Sequence, residues 1–286
     1  MIIWIASYPK SGNTWIRSLL SAYLFSENGK FSFKLLKNIN QFSSKNFPSD
    51  PTEKSNYQSR ISKNWIPSQE IINRDKKIHI FKTHNALCAI NGNRFTDKFN
   101  TMAAIYIVRD PRNLIISLAH HYEFSLKETF DFLTNKRKII FPENIMELDK
   151  VKNEPKDFNF LGDWADHYKS WKNINFCPIK IIKYEDILFN TRRVFVSTLD
   201  FLSQFIKLKL DKKKINNALT TTTFEKLSRM EKEEGFYESV ISSRTKKKIK
   251  FFHLGKKNNW KQLLDNKSIK KINNVFENEM RELNYL

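Results

Sequence analysis

The chain has 286 residues, enough for one large domain, and 40% of them are hydrophobic, including 24 Phe, which is ample for a core. Its 50 Lys and Arg against 30 Asp and Glu leave a net charge of +20, pointing to a polyanionic partner such as nucleic acid, a membrane surface or a phosphorylated or sulfated ligand. No run approaches the roughly 20 apolar residues of a membrane-spanning helix, and two cysteines, Cys88 and Cys177, exclude a disulfide framework or a cysteine metal site. Lys, Asn, Ile and Phe are plentiful while Gly (6) and Pro (8) are few, so compositional drift accounts for most of the charge and a local anion site for the rest. Met1 runs directly into an apolar segment without a basic leader. That start and the unpaired cysteines predict a cytoplasmic protein.

In chain order, short β-branched runs predict strands at Ile2–Ser7, Lys77–Thr83, Ala103–Val108 and Ile179–Tyr184, most of them apolar on both faces, as in a buried parallel sheet. Helical spacing predicts helices at Thr14–Leu24, at Pro111–Tyr122 with Pro at its first position, and around the stripe Leu161, Trp164, Ala165, Tyr168 and Trp171. Two more follow at Thr191–Phe205 and Ser268–Leu283. Strands alternating with helices predict an α/β fold with helices on both faces of the sheet. Two stretches are irregular, Gly29–Asn64 and Lys232–Lys257, and read as loops over a site or as mobile surface.

The first strand breaks into Tyr8-Pro9-Lys10-Ser11-Gly12-Asn13-Thr14-Trp15 and a helix starts at once. Free backbone N–H groups and the positive end of a helix dipole then converge on one spot, an anion site. Gly12 lets the backbone approach, Asn13 and Thr14 can cap the helix or donate, and Lys10 adds a full charge. A Walker A loop carries its Lys after the second Gly of G-x-x-x-x-G-K-[ST]. Here Lys10 precedes the loop's only Gly, so the loop suits one terminal phosphate rather than a triphosphate.

A second anion site is predicted where Ile105–Val108 ends in Arg109-Asp110-Pro111-Arg112, with Ser117 eight residues after Arg109. The carboxyl end of a buried strand is where open α/β sheets bind ligands. The competing reading pairs Arg109 with Asp110 or Glu123. The third element, Phe81-Lys82-Thr83-His84, also ends a strand and faces His84 into the same crevice. The neighbours His120 and His121 point about 100° apart on a helix and do not chelate one metal together.

With these elements in order, the chain resembles the sulfotransferases that use 3′-phosphoadenosine 5′-phosphosulfate (PAPS), and in particular their soluble small-molecule branch, as a bacterial-type member. Tyr8–Trp15 is similar to that family's 5′-phosphosulfate loop, with Asn13 where many members have Thr. Tyr106–Ser117 is similar to its 3′-phosphate motif, and Lys82-Thr83-His84 to the segment bearing its catalytic His. Tyr184-Glu185-Asp186 and Thr222-Thr223-Phe224 resemble adenine-side segments. Phe251–Trp260 ("FFHLGKKNNW") resembles the closing segment. The matches run from residue 2 to about 261.

The resemblance implies one sulfotransferase domain over residues 1–286, with a P-loop-like three-layer α/β/α fold and a central parallel sheet flanked by helices. It also implies PAPS as co-substrate, adenosine 3′,5′-bisphosphate (PAP) as product and no metal. His84 is then the general base, Lys10 stabilises the leaving oxygen, and Lys82 assists at the sulfuryl oxygens. Ser11, Gly12, Asn13 and Thr14 hold the 5′-phosphate; Arg109 and Ser117 hold the 3′-phosphate. Trp15, Tyr184, Thr222, Phe224, Phe251, His253, Gly255 and Lys256 complete the donor site.

The sequence departs from the family at two places. His253 and Leu254 stand where an Arg-Lys pair usually precedes the Gly, leaving Lys256, Lys257 or Arg244 as substitutes. The dimer signature K-x-x-x-T-V-x-x-x-E is absent after Trp260, so that dimer is not implied. The acceptor pocket falls to Gly29–Asn64, Tyr122–Lys156 and Lys232–Lys250, with Phe31, Phe33, Trp65, Tyr122, Phe124 and Phe130 as aromatic walls or core. A phenol, a lipid and a sugar are not separated, because the Arg-Asp-Pro-Arg wording also occurs in carbohydrate-sulfating members. Two other readings stay open: a nucleotide or small-molecule kinase of P-loop type, and a basic nucleic-acid-binding protein. The first needs a Walker A loop and a Mg²⁺ ligand; the second needs charge gathered on one face with stacking aromatics.

Overall fold

Four short strands make the central sheet: β1 (Ile2–Ser7), β2 (His79–Thr83), β3 (Thr101–Val108) and β4 (Ile179–Lys183). They lie in the order β2-β1-β3-β4, all parallel, with Ala6 beside Thr83, Ser7 beside Ile107 and Val108 beside Lys183. The computed structural model describes residues 1–43, 57–141, 155, 157–242 and 244–286. Among these, no helix is long and apolar enough to cross a membrane.

The two central strands, β1 and β3, are apolar on both faces because both faces are covered. Alternate residues enter different cores. Ile3, Ile5, Ala103, Ile105 and Ile107 pack with Leu19 and Leu20 of α1 (Asn13–Phe25) and Phe195 and Leu199 of α4 (Tyr184–Ser203). Trp4, Ala6, Ala104, Tyr106 and Val108 pack with Leu114 and Leu118 of α2 (Pro111–Tyr122) and Trp164, Tyr168 and Trp171 of α3 (Trp164–Lys172). The result is the α/β/α layering expected from the strand pattern. The Leu161–Trp171 stripe is core packing.

Several boundaries move. The fourth strand stops at Lys183, and Tyr184 already opens α4, which runs through the expected helix start at Thr191 with a kink at Asn190 (φ −133°, ψ 44°). The helix expected over Ser268–Leu283 is two, Asn266–Val275 and Glu277–Glu282. Phe276 breaks it by turning into the core, with its ring 5.0 Å from that of Trp164. Helices α5 (Lys212–Thr221) and α6 (Phe224–Glu234) escape sequence reading because their apolar stripes are narrow; in α6 only Leu227 is buried. The irregular stretch Gly29–Asn64 holds a short 3₁₀ turn, Phe33–Asn38, and a helix, Tyr57–Lys63; positions 44–56 lie outside the described residues.

β1 and β3 are adjacent, but the chain leaves β1 for β2 on its other side and only later enters β3. Between the carboxyl ends of two such strands a crevice opens, because their connections run to opposite faces of the sheet.

Candidate active site

All four strands deliver a residue to that crevice from their carboxyl ends: Lys10 after β1, His84 after β2, Arg109 after β3 and Tyr184 after β4. They line one cavity of about 660 Å³, together with Gly12, Asn13, Thr14, Trp15, Lys82, Ser117, Phe224, Phe251, His253 and Gly255.

The loop after β1 is tightly wound. Lys10 has φ +64°, left-handed and costly for a residue with a Cβ. Arg109 helps to hold it there, donating from Nη1 to the Lys10 carbonyl at 2.8 Å while its guanidinium lies 4.2 Å from the centre of the Tyr184 ring. Gly12, at φ +100°, is needed twice over: a Cβ there would also sit 2.5 Å from Tyr184 Cδ2. Helix α1 starts at Asn13, so its first N–H groups lack intrahelical partners, and Gly12, Asn13 and Thr14 line the cavity. The Asn13 side chain is turned away, donating to the Ile5 carbonyl at 3.0 Å and to Ser7 Oγ at 3.2 Å. Only its backbone is available to a ligand.

Lys10 Nζ lies 3.4 Å from the centre of the Phe251 ring. Burial, then the nearby Arg109 charge, lowers its pKa to about 7. A lysine so placed is a cation that takes up an anion readily, because the anion restores what burial removed.

His84 is fixed by its backbone and its ring. Ring Nδ1 is 2.7 Å from the Ser7 carbonyl, which can only accept, so Nδ1 carries the proton and Nε2 the lone pair. Burial and the charge of Lys82 hold the imidazole neutral, its pKa well below the usual range. One face of α3 grips the same segment: His167 Nε2 contacts the His84 carbonyl (3.0 Å), Trp171 Nε1 donates to the Asn85 carbonyl (2.9 Å) and Ser170 Oγ accepts from Leu87 N (2.9 Å). Tyr106 OH, 2.8 Å from His167 Nδ1, donates to it and so fixes that tautomer. His167, Ser170 and Trp171 thus hold the segment that carries His84, a role that the apolar stripe does not reveal.

Arg109 and Ser117 both line the cavity, 5% of Arg109 being exposed. Asp110 is engaged elsewhere, in an ion pair with Arg112 at 2.7 Å. The pairing of Arg109 with Asp110 therefore fails. Arg109 Nε and Trp15 Nε1, donors on two residues that line the cavity, are buried without a hydrogen-bond partner among the described residues. Unpaired donors are costly in a protein interior, and two of them on the wall of this cavity fit a polar, anionic ligand. Gly255 is tailored too, since a Cβ would lie 2.7 Å from the Phe224 ring.

Three expected donor-site residues do not face the cavity. Ser11 is fully buried behind the loop. Thr222 is spent on its own helix, donating to the Ala218 carbonyl at 2.8 Å. Lys256, Lys257 and Arg244 are exposed and do not line the cavity. His253 reaches it instead, stacked on His120 with ring centres 3.5 Å apart. Glu231 anchors this closing segment, accepting from Phe251 N (2.5 Å), Phe252 N (2.9 Å) and Ser239 Oγ (2.8 Å). Glu231, Glu238 and Arg17 were missed in the sequence, where nothing distinguishes them from solvated charges.

Of the aromatics proposed for an acceptor wall, Tyr122 lines the cavity; Phe31, Phe33, Trp65 and Phe130 are core, and Phe124 packs against it. Asn40, Gln41, Ser43, Ile140, Phe141, Asp157 and Asn159 also line the cavity.

Residues 2–284 match the family described as "Sulfotransferase domain". Luciferin sulfotransferase of Photinus pyralis is 23% identical over 237 residues, covering 78% of this chain but 55% of the relative. Amine sulfotransferase of Oryctolagus cuniculus is 22% identical over 288 residues, covering 98% of this chain and 81% of the relative. Among solved structures, a mouse sulfotransferase complexed with PAP superposes with a TM-score of 0.58 at 17% identity, covering 98% of this chain and 84% of its own. Retinol dehydratase, in complex with androsterone and inactive cofactor PAP, also gives 0.58, at 15% identity with 98% and 80% covered. The strand order, the loop around Lys10 and the match over residues 2–284 agree: the chain belongs to the sulfotransferase family.

Proposed function

We propose that the chain transfers the sulfuryl group of PAPS to a hydroxyl or amine acceptor and releases PAP. The observation that carries this reading is the convergence of Lys10, His84 and Arg109 from three strand ends on one cavity, with His84 presenting an unprotonated Nε2. His84 Nε2 takes the acceptor's proton as the new O–S or N–S bond forms and the bridging S–O bond breaks. Lys10 stabilises the charge left on the bridging oxygen. Backbone N–H groups at Gly12–Thr14 and the Thr14 hydroxyl hold the 5′-phosphate, and Arg109 with Ser117 holds the 3′-phosphate. Trp15, Tyr184 and Phe224 wall the adenine. Phe251, lying under Lys10, supports that cation as well. Like phosphoryl transfer, the step needs chiefly positioning and a positive field.

Calorimetric titration with PAP, followed by transfer of radiolabelled sulfate from PAPS to an extract of candidate acceptors, tests the reading. Saturable PAP binding and a labelled organic product support it. Preference for ATP with Mg²⁺, or salt-sensitive nucleic-acid binding without affinity for PAP, overturns it.

The pH dependence has a defined sign. Lys10 serves as a cation, and its pKa of about 7 makes it progressively neutral as pH rises. His84 serves as a neutral base and stays so well below pH 6.5. Hence kcat/KM for PAPS, which reports the free enzyme, is expected to fall as pH rises through about 7 and to be flat just below it. The limb for kcat itself should lie higher, because the bound donor's charge favours protonated Lys10. A kcat/KM profile rising through pH 7–9 contradicts the role given to Lys10.

A further inference from the structure

The cavity contains a charge cluster that the reaction as proposed does not use. Glu238, in the segment after α6, points its carboxylate into the donor loop. Its Oε2 accepts from Thr14 Oγ1 at 2.9 Å; its Oε1 accepts from Arg17 Nη1 at 2.6 Å and lies 3.3 Å from Lys82 Nζ. Arg17 is 1% exposed and is fixed from behind by its Nε bond to the Ile39 carbonyl at 3.0 Å. Burial alone would raise the carboxyl's pKa, but Lys82, Arg17 and the Thr14 hydroxyl together hold it well below the usual range, so Glu238 is ionised.

A hydroxyl in the first turn of a helix and two cations, brought by α1 and β2, thus converge on one anionic group. That donor set is suited to the oxygens of a phosphate or sulfate. Thr14 has a single hydroxyl proton to give. The Glu238 carboxylate and a 5′-phosphate cannot both receive it, and two anions so near each other repel.

The geometry points to Glu238 as an internal occupant of the seat for the donor's 5′ anion, a residue that sets donor affinity by holding Thr14 until the nucleotide displaces it. The inference rests on the donor reading above and assigns Arg17 as well as Lys82 to that end of the site. The nucleotide takes over the Thr14 hydroxyl, while Glu238 remains with Arg17 and Lys82, which keeps those cations from binding the product too firmly.

Titration of wild type and Glu238→Gln with PAP and with adenosine 3′-phosphate tests this. The two ligands share the adenine and the 3′-phosphate, but only PAP carries a 5′ anion. Removing the carboxylate's charge should tighten PAP by roughly tenfold or more and leave adenosine 3′-phosphate nearly unchanged. Unchanged or weaker PAP binding, or equal tightening of both ligands, overturns the inference while the donor reading stands. PAP bound by neither protein rejects the donor reading and the inference with it. A crystal structure of the wild type with PAP needs no variant and covers the case in which Glu238→Gln fails to fold. Loss of the Thr14–Glu238 hydrogen bond is the expected result, and its retention beside bound PAP overturns the inference.

Discussion

His84→Ala is expected to lower kcat by about 10²–10⁴ while leaving the affinity for PAP close to that of the wild type. The split follows from geometry. The ring's Nδ1 is committed to the Ser7 carbonyl at 2.7 Å, so the side chain's only free nitrogen is the one offered to an acceptor proton. The donor's phosphates are assigned to other elements, the turn after β1 and the end of β3. The variant keeps the main-chain links from His167 to the His84 carbonyl and from Trp171 to the Asn85 carbonyl, so the segment should stay in place. Steady-state turnover with the best acceptor, beside PAP titration, reads both quantities. Undiminished turnover removes His84 as base; a matching loss of PAP affinity makes it a binding residue.

Arg109→Ala should weaken PAP by about 10- to 100-fold, the worth of one charge-assisted bond to a phosphate. It should weaken adenosine 5′-phosphate far less. Arg109 also holds the Lys10 carbonyl and lies on Tyr184, so some loss will be common to both nucleotides. The ratio of the two losses isolates the 3′-phosphate contact. Arg109→Lys should recover the charge but not the planar fork, and so only part of the affinity. Equal losses for the two nucleotides would leave Arg109 as a strut for the loop and place the 3′-phosphate elsewhere, with the His253–His120 stack the next position to probe.

Both predictions begin from residues that could be read in sequence because strands announce their own ends. β1 and β3 are buried on two sides, so they appear as nearly uninterrupted apolar runs, while β2, at the end of the sheet, is a shorter run broken by Lys82; the first polar residue after each run lies at the sheet's carboxyl edge. Lys10, His84 and Arg109 are such residues or sit within three positions of one. Tyr184 is a harder case: its sequence context predicts the last residue of a strand and the fold makes it the first of a helix, although the edge it occupies is the same.

The opening loop was legible in type but not in detail. Its Lys-before-Gly order excluded a triphosphate loop, and Gly12 is indeed needed for its φ and for the nearby Tyr184 ring. The direction of the Asn13 amide was not legible, because it is decided by the carbonyl of Ile5 in the preceding strand. Thr222 and Lys256 were carried into the donor site by their neighbours in sequence. In the fold the Thr222 hydroxyl bonds its own helix and Lys256 faces solvent, so neither lines the cavity.

The sequence by itself determined the layered α/β arrangement, the edge of the sheet at which the site forms and the cation that leads the first loop. These depend on local order along the chain: hydrophobic period, strand ends and a glycine at one position. Tertiary structure alone decided which distant charges meet there. Glu238 joins Arg17 and Thr14 across more than 200 residues, Glu231 ties down Phe251 and Phe252, and His167 reaches the carbonyl of His84 from another helix. Each of these residues has the composition and spacing of an ordinary surface or core position. Only folding brings its partner within hydrogen-bond distance and removes the water that would otherwise have satisfied it.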